Sequence, residues 1–181
     1  MLRILVGGSS GAGKTTLARE LARRIDAPYV EADSLFHGPG WVPRPEFVAD
    51  VDAFTAQPRW VIDHDYRVVR DLIWSRMDTL VWLDYSRLVC EWRVIRRSVP
   101  RALLRRELWN GNRESLAKLL FDRDHPVRWS WRHHAHKRRL FGERIVAPEH
   151  AHVTVVRLAA PGATRAWLSS LPDHSRMSRR D

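Results

Sequence analysis

At 181 residues and 44% hydrophobic, the chain has the length and apolar content of one globular domain with a true core. No apolar run approaches the roughly 18 residues a membrane span needs, and strand character begins almost at once, which predicts no signal peptide and a cytoplasmic protein. A single cysteine, Cys90, rules out an intrachain disulfide; its expected place is a buried position on a helix. The net charge of +10 is uneven: residues 1–86 carry 10 basic and 12 acidic side chains, whereas 87–144 carry 16 basic and 6 acidic. Such a segment holds polyphosphate, binds nucleic acid, or is a solvated helical face.

The first element is an apolar strand over residues 2–6. It runs into Gly8-Ser9-Ser10-Gly11-Ala12-Gly13-Lys14-Thr15, which fits the pattern G-x-x-x-x-G-K-[ST] at every fixed position. A helix over 14–25 follows, with Leu17, Leu21 and Ile25 recurring every four residues. Strand, glycine turn and helix in that order make an anion site, because backbone N–H groups and the positive end of the helix dipole converge there. Gly8 through Thr16 are therefore expected to bind ATP phosphates, with Lys14 reaching the β- and γ-phosphates and the Thr15 hydroxyl ligating Mg²⁺.

A strand over 28–31 leads to Asp33, expected to meet an acceptor hydroxyl or Mg²⁺, or else to cap the short segment 34–36. Gly38-Pro39-Gly40-Trp41-Val42-Pro43-Arg44-Pro45 is a turn-rich loop bordering the second-substrate site, with Trp41 placed to cover a substrate. After a helix over 46–57, the apolar strand 60–63 ends in Asp63, the favoured second metal-site carboxylate. His64, Asp65, Tyr66 and Arg67 follow it directly, and Arg67 is positioned to hold the acceptor. A helix over 68–77 precedes the strand 79–84, whose terminal Asp84 reads as a helix cap or turn residue and ranks behind Asp63.

Arg93 and Arg97 stand four apart on a helix over 87–98, so both project from one face and are expected to neutralise developing charge. Residues 99–126 are mostly irregular and basic, with a short helical pattern at 113–120; a lid carrying Arg101, Arg105, Arg106 and Arg113 fits there. The helix over 127–141 adds Arg128, Arg132, Arg138 and Arg139, most of them expected to be solvated. His133, His134 and His136 read as part of that solvated face, since no cysteine or carboxylate spacing completes a zinc set. Trp60, Trp74, Trp82 and Trp92 are expected in the core, and Trp129 and Trp131 form only a weak base-stacking pattern. A strand over 152–157 and a polar tail over 172–181 complete the chain.

Strands alternating with helices predict an α/β protein: a three-layer P-loop NTPase fold with a mostly parallel five-stranded sheet, helices on both faces and a short basic lid. Residues 1–172 are read as a single domain. Ligands in such sheets sit at the carboxyl ends of the strands, where Asp33, Asp63 and Asp84 fall.

The phosphate loop, Asp33-Ser34-Leu35-Phe36, Pro39-Gly40-Trp41, the run from Trp60 to Arg67, and Asp84-Tyr85 together resemble the bacterial DNA topology modulation protein family. That family belongs to the adenylate-kinase-like and shikimate-kinase-like P-loop proteins, and the resemblance covers about residues 1–145. The broader resemblance to nucleoside monophosphate kinases implies a Mg²⁺ water-shell role for Asp63 and an acceptor-phosphate contact for Arg67; Asp33 matches the Asp after their second strand, and Arg93 and Arg97 match their pair of arginines on the helix before the lid. The family usually has Gly-Asn after the third-strand Asp, where this chain has His64-Asp65; losing that glycine closes off close backbone approach, so the acceptor site differs. The lid segment lacks cysteines, so no zinc-bound lid is expected.

The sequence thus reads as a Mg²⁺-dependent kinase that moves the ATP γ-phosphoryl group to a nucleotide or another small acceptor. Two alternatives stand beside it: an ATP-dependent nucleic-acid-binding module using segment 87–144, and a plain ATPase. Nucleic acid ranks behind the small acceptor as a partner, because the charge coincides with the expected lid and no DNA-binding motif is evident.

Overall fold

The computed structural model describes residues 1–103 and 126–172. The elements in chain order are β1 (Arg3–Gly8), α1 (Lys14–Ile25), β2 (Tyr29–Val30), α2 (Ala32–Phe36), a 3₁₀ turn (Pro39–Trp41), α3 (Phe47–Thr55), β3 (Trp60–Ile62), α4 (Arg70–Arg76), β4 (Thr79–Leu83) and α5 (Arg87–Leu103). After them come α6 (Pro126–Ile145), a second 3₁₀ turn (Pro148–His150), β5 (Thr154–Leu158) and α7 (Pro161–Ser170).

The five strands form one parallel sheet in the order β2-β3-β1-β4-β5. β1 is central, and the unbroken apolar run Ile4-Leu5-Val6 is fully buried, as a strand covered on both faces must be. Side chains alternate along it and build two cores. Ile4 and Val6 join Val61, Val81 and Leu83 beneath Leu17, Ala18 and Leu21 of α1, with Trp167 and Leu168 of α7 packed alongside. On the opposite face Leu5, Trp60, Ile62, Leu80 and Trp82 pack with Phe47, Val51, Ile73, Trp74 and Phe141 from α3, α4 and α6. The fold is therefore the three-layer α/β architecture the strand–helix alternation predicts.

The buried indoles keep their N–H groups satisfied. Trp60 donates to the Thr55 carbonyl at 3.0 Å and Trp74 to Asp65 Oδ2 at 3.3 Å. Asp26 closes α1 in the left-handed region, donating its N–H to the Ala22 carbonyl. Arg24 then ties α1 to α7 through the Leu168 carbonyl.

Several expectations need correction. Trp92 is 63% exposed on the outer side of α5 rather than in the core. His134 is buried, its Nε2 at 2.9 Å from the Tyr85 carbonyl, so it does not belong to a solvated face. Asp84 is no helix cap: its two carboxylate oxygens take Arg138 of α6 and Arg157 of β5, and Ser86 stands at the start of α5 instead. Arg138 is accordingly ion-paired. The helix α7 and the full helical turn at α2 were not anticipated. Cys90 is buried on α5, where burial raises its thiol to about 11. The helical pattern at 113–120, lid residues Arg105, Arg106 and Arg113, and the tail beyond Pro172 lie outside the described residues, as do the side chains of Arg101, Arg128 and Trp129. Among the described residues no helix is long and apolar enough to cross a membrane.

Candidate active site

β1 delivers Gly8 to the carboxyl edge of the sheet, and the loop Ser9–Gly13 turns there into α1. Two glycines make that turn. At Gly11 (φ 79°) a Cβ would overlap the Cys90 carbonyl oxygen of α5, so the loop lies directly on that helix. Gly13 (φ 96°) precedes α1 with no side-chain cap, which leaves the first-turn N–H groups to face whatever occupies the loop. Lys14 folds back over the loop and donates from Nζ to the Ser9 carbonyl at 3.2 Å. Burial pulls its ammonium below the ordinary lysine value, while Asp33 and Asp63 oppose that shift. Ser9 is buried, Ser10 is half-buried, Ala12 is buried and Thr16 is exposed at the entrance.

Asp63 follows β3 directly, and the adjacency of β3 to β1 carries it across to the loop. The Thr15 hydroxyl donates to Asp63 Oδ2 at 2.6 Å, joining residues 48 apart in sequence. The Tyr29 hydroxyl donates to the same oxygen at 3.0 Å, and the Ala32 N–H to Oδ1 at 3.2 Å. Thr15 and Asp63 thus present hard oxygens to one point at the mouth of the loop, which is the donor chemistry that Mg²⁺ takes while keeping most of its waters. No cluster of three His, Cys, Asp or Glu side chains that would hold a metal by itself occurs among the described residues.

Asp33 sits in the first turn of α2, where its Oδ1 accepts the Tyr66 hydroxyl. Tyr66 stacks on Phe36 at a centroid distance of 4.1 Å and meets Phe47 edge-on at 5.3 Å. His37 Nε2 lies 3.4 Å from the Tyr66 hydroxyl, and Trp41 stands edge-on to His37 at 5.2 Å. Trp41 itself takes a positive φ of 65°, a strained position that turns its ring toward this cluster. His64 tilts against Tyr66 at 4.5 Å; burial, Lys137 and Lys14 hold it well below the usual histidine range, so it is neutral at pH 7. Aromatic side chains thus cluster around the Asp33–Tyr66 pair.

Arginine placement divides sharply. Arg93 reaches the loop from α5, donating Nη1 to the Ala12 carbonyl at 3.1 Å. Arg97, one turn further, is exposed and within electrostatic range of Lys14. Arg67 is exposed in the turn before α4, and among the described residues no contact joins it to Asp33 or Asp63. The buried carboxylate after β3 is taken instead by Arg70, whose Nε meets Asp65 Oδ2 at 2.9 Å.

Tyr29, His37, Asp65, Arg70 and Lys137 were not anticipated at the site. The last had a readable signal: on a helix, position 137 shares a face with 134 and 141, both of which are buried.

No protein-family model matches the chain, and no curated protein matches it. Solved structures do. Shikimate kinase from Acinetobacter baumannii, in complex with shikimate, is 16% identical over 93% of this chain and 89% of its own, with a TM-score of 0.51. A gluconokinase from Sinorhizobium meliloti 1021 is 17% identical over 97% of this chain and 95% of that one, with a TM-score of 0.47. An unliganded sugar kinase from Janibacter sp. HTCC2649 is 19% identical over 96% and 95%, with a TM-score of 0.45. At such identities the likeness concerns the fold, and the shikimate kinase carries it.

Proposed function

We propose that this chain is a P-loop phosphotransferase that moves the γ-phosphoryl group of ATP to the hydroxyl of a small acceptor. The observation that carries this reading is the 2.6 Å bond between Thr15 and Asp63, a metal-type oxygen pair within electrostatic range of Lys14, with a second carboxylate, Asp33, held by Tyr66 among aromatic side chains. An ATPase needs only the first of these; a kinase needs both. The absence of an Asn-Lys-x-Asp run favours ATP over GTP.

The loop amides and Lys14 hold the phosphates, and Arg93 braces the loop from α5. Thr15 and Asp63 would hold Mg²⁺, which neutralises charge on the β- and γ-phosphate oxygens when bound. Asp33 orients the acceptor hydroxyl and receives its proton as the oxygen bonds to the γ-phosphorus and the bridging P–O bond to ADP breaks. Tyr66 fixes the Asp33 carboxylate, and Trp41 borders the acceptor. Arg97, within electrostatic range of Lys14, would neutralise charge that develops on the transferred group. Protein groups here act by position and field.

The motif blocks that resemble the DNA topology modulation family support the kinase-like reading without naming the acceptor. One observation favours a nucleic-acid reading: Arg96, Arg132 and Arg139 are exposed on α5 and α6 together with Trp92 and Trp131.

The test is acceptor-dependent ADP formation by wild type, Lys14→Ala and Asp33→Asn proteins. Lys14→Ala should abolish turnover. Asp33→Asn should lower acceptor-dependent turnover about 10²- to 10⁴-fold while ATP affinity is kept. Equal turnover by Lys14→Ala and wild type would defeat the reading.

A further inference from the structure

The two residues of β2 lie in parallel register with β3, Tyr29 opposite Val61 and Val30 opposite Ile62. Tyr29 therefore faces the same side of the sheet as Val61, the side covered by α1, and its ring packs on the edge of that core. The Arg19 guanidinium of α1 lies 5.8 Å from the ring centroid, and Arg19 is itself paired with Glu31 at 2.9 Å. Held in this way, the side chain reaches the residue that follows β3. Its hydroxyl donates to Asp63 Oδ2 at 3.0 Å, across 34 residues of sequence.

Asp63 is buried, and among the described residues three groups donate to it. The Thr15 and Tyr29 hydroxyls meet Oδ2, and the Ala32 N–H meets Oδ1. These donors have different duties. Thr15 belongs to the metal-type oxygen pair, so its oxygen turns to the metal when one binds. Ala32 fixes one carboxylate oxygen from the backbone. Tyr29 lies outside the phosphate loop and fixes the other oxygen independently of Thr15. The last torsion of an aspartate is broad, so a carboxylate held at one oxygen turns easily. Tyr29 and Ala32, one on each oxygen, hold its plane.

We propose that Tyr29 is a positioning residue of the metal site: its hydroxyl holds the Asp63 carboxylate in the orientation that hydrated Mg²⁺ needs, as a donor to Asp63 and not as a ligand. This rests on the phosphotransferase reading above for the metal, although the grip on Asp63 is a feature of the structure itself. Partners that orient a metal-side carboxylate set metal affinity, and their loss costs about 10- to 100-fold. Tyr29 thus acts on the metal through Asp63 and has no direct part in holding ATP phosphates.

The test measures binding of a fluorescent non-hydrolysable ATP analogue to the full chain, once with saturating Mg²⁺ and once with a chelator. The ratio of the two affinities reports what the metal adds, independently of turnover. Tyr29→Phe keeps the ring and removes only the hydroxyl. It should leave the metal-free affinity unchanged and reduce the Mg²⁺-dependent gain about 10-fold. Tyr85→Phe is the control: it removes a tyrosine hydroxyl from the same core, the one 2.5 Å from Thr164 Oγ1, and should keep the gain. A gain kept in Tyr29→Phe, or lost equally in both variants, would overturn the proposal and leave the phosphotransferase reading standing. Equal weakening of Tyr29→Phe with and without metal marks a purely structural role and overturns the proposal as well. No gain in the wild type would overturn the metal pair and the role of Tyr29 together. A Tyr29-dependent gain in a protein that phosphorylates no acceptor would support the proposal and count against the phosphotransferase reading.

Discussion

Among single residues, Gly11 gives the sharpest steric prediction. Its φ of 79° and its closeness to the Cys90 carbonyl leave no room for a methyl group. Gly11→Ala should push the loop off α5 and weaken nucleotide binding, whereas Gly40→Ala, where a Cβ meets nothing within 4 Å, should leave it intact; fluorescent ATP-analogue titration compares them. Lys137 makes a prediction about pH. Its folded value of about 8 lies below its ordinary 10.5, so between those pH values the unfolded chain binds more protons than the native one. Stability contributed at this position therefore rises as pH climbs from about 8 to 10.5, and is lowest below 8, where the native ammonium is charged and buried. Denaturant unfolding of wild type and Lys137→Met across that range should show the wild type gaining on the variant as pH rises. Parallel curves would refute the burial of this ammonium.

At the level of elements, α6 is anchored in the second core through Phe141. Phe141 is buried against two indoles and lies so close to Gly7 that a Cβ there would overlap its ring. Phe141→Ala should cost about 3–5 kcal/mol in denaturant unfolding, as large-to-small changes in packed cores do. The strands and α1 were legible in the sequence because each is set by local pattern: apolar runs, Leu17-Leu21-Ile25 spacing, and glycines at the loop. The approach of Asp63 to the loop was also readable, since Asp63 ends an apolar strand and bonds Thr15. The buried face of α6 was not. Its three histidines looked like one solvated group, and only the tertiary contact of His134 with Tyr85 splits them. Asp84 was equally hidden, because its partners Arg138 and Arg157 lie 54 and 73 residues away. The helix α7 is short and half-exposed, with a weak apolar stripe of Trp167 and Leu168, so it gave little periodic signal.

On the scale of the whole molecule, strand order does what no local motif can. Placing β3 and β4 on either side of β1 carries Asp63 and the start of α5 to the two flanks of one loop. Ligand linkage follows: saturating Mg²⁺ and ATP at about 100 times the dissociation constant should stabilise the fold by about 2.7 kcal/mol, read as a rise in unfolding midpoint. ATP without Mg²⁺ should give less. The concentrated positive charge makes a separate prediction about partners. As a phosphate-handling segment it should bind double-stranded DNA weakly, with affinity falling steeply as salt rises and no effect on turnover.

Phosphoryl transfer is tested by ATP consumption with Mg²⁺ across nucleoside monophosphates, nucleosides and small hydroxyl compounds, charged and neutral, with double-stranded DNA as a separate addition. ADP formation should require a small hydroxyl acceptor, yield its phosphorylated product in equal amount, and disappear in Lys14→Ala. ADP formation that ignores every small acceptor and responds only to DNA would contradict it.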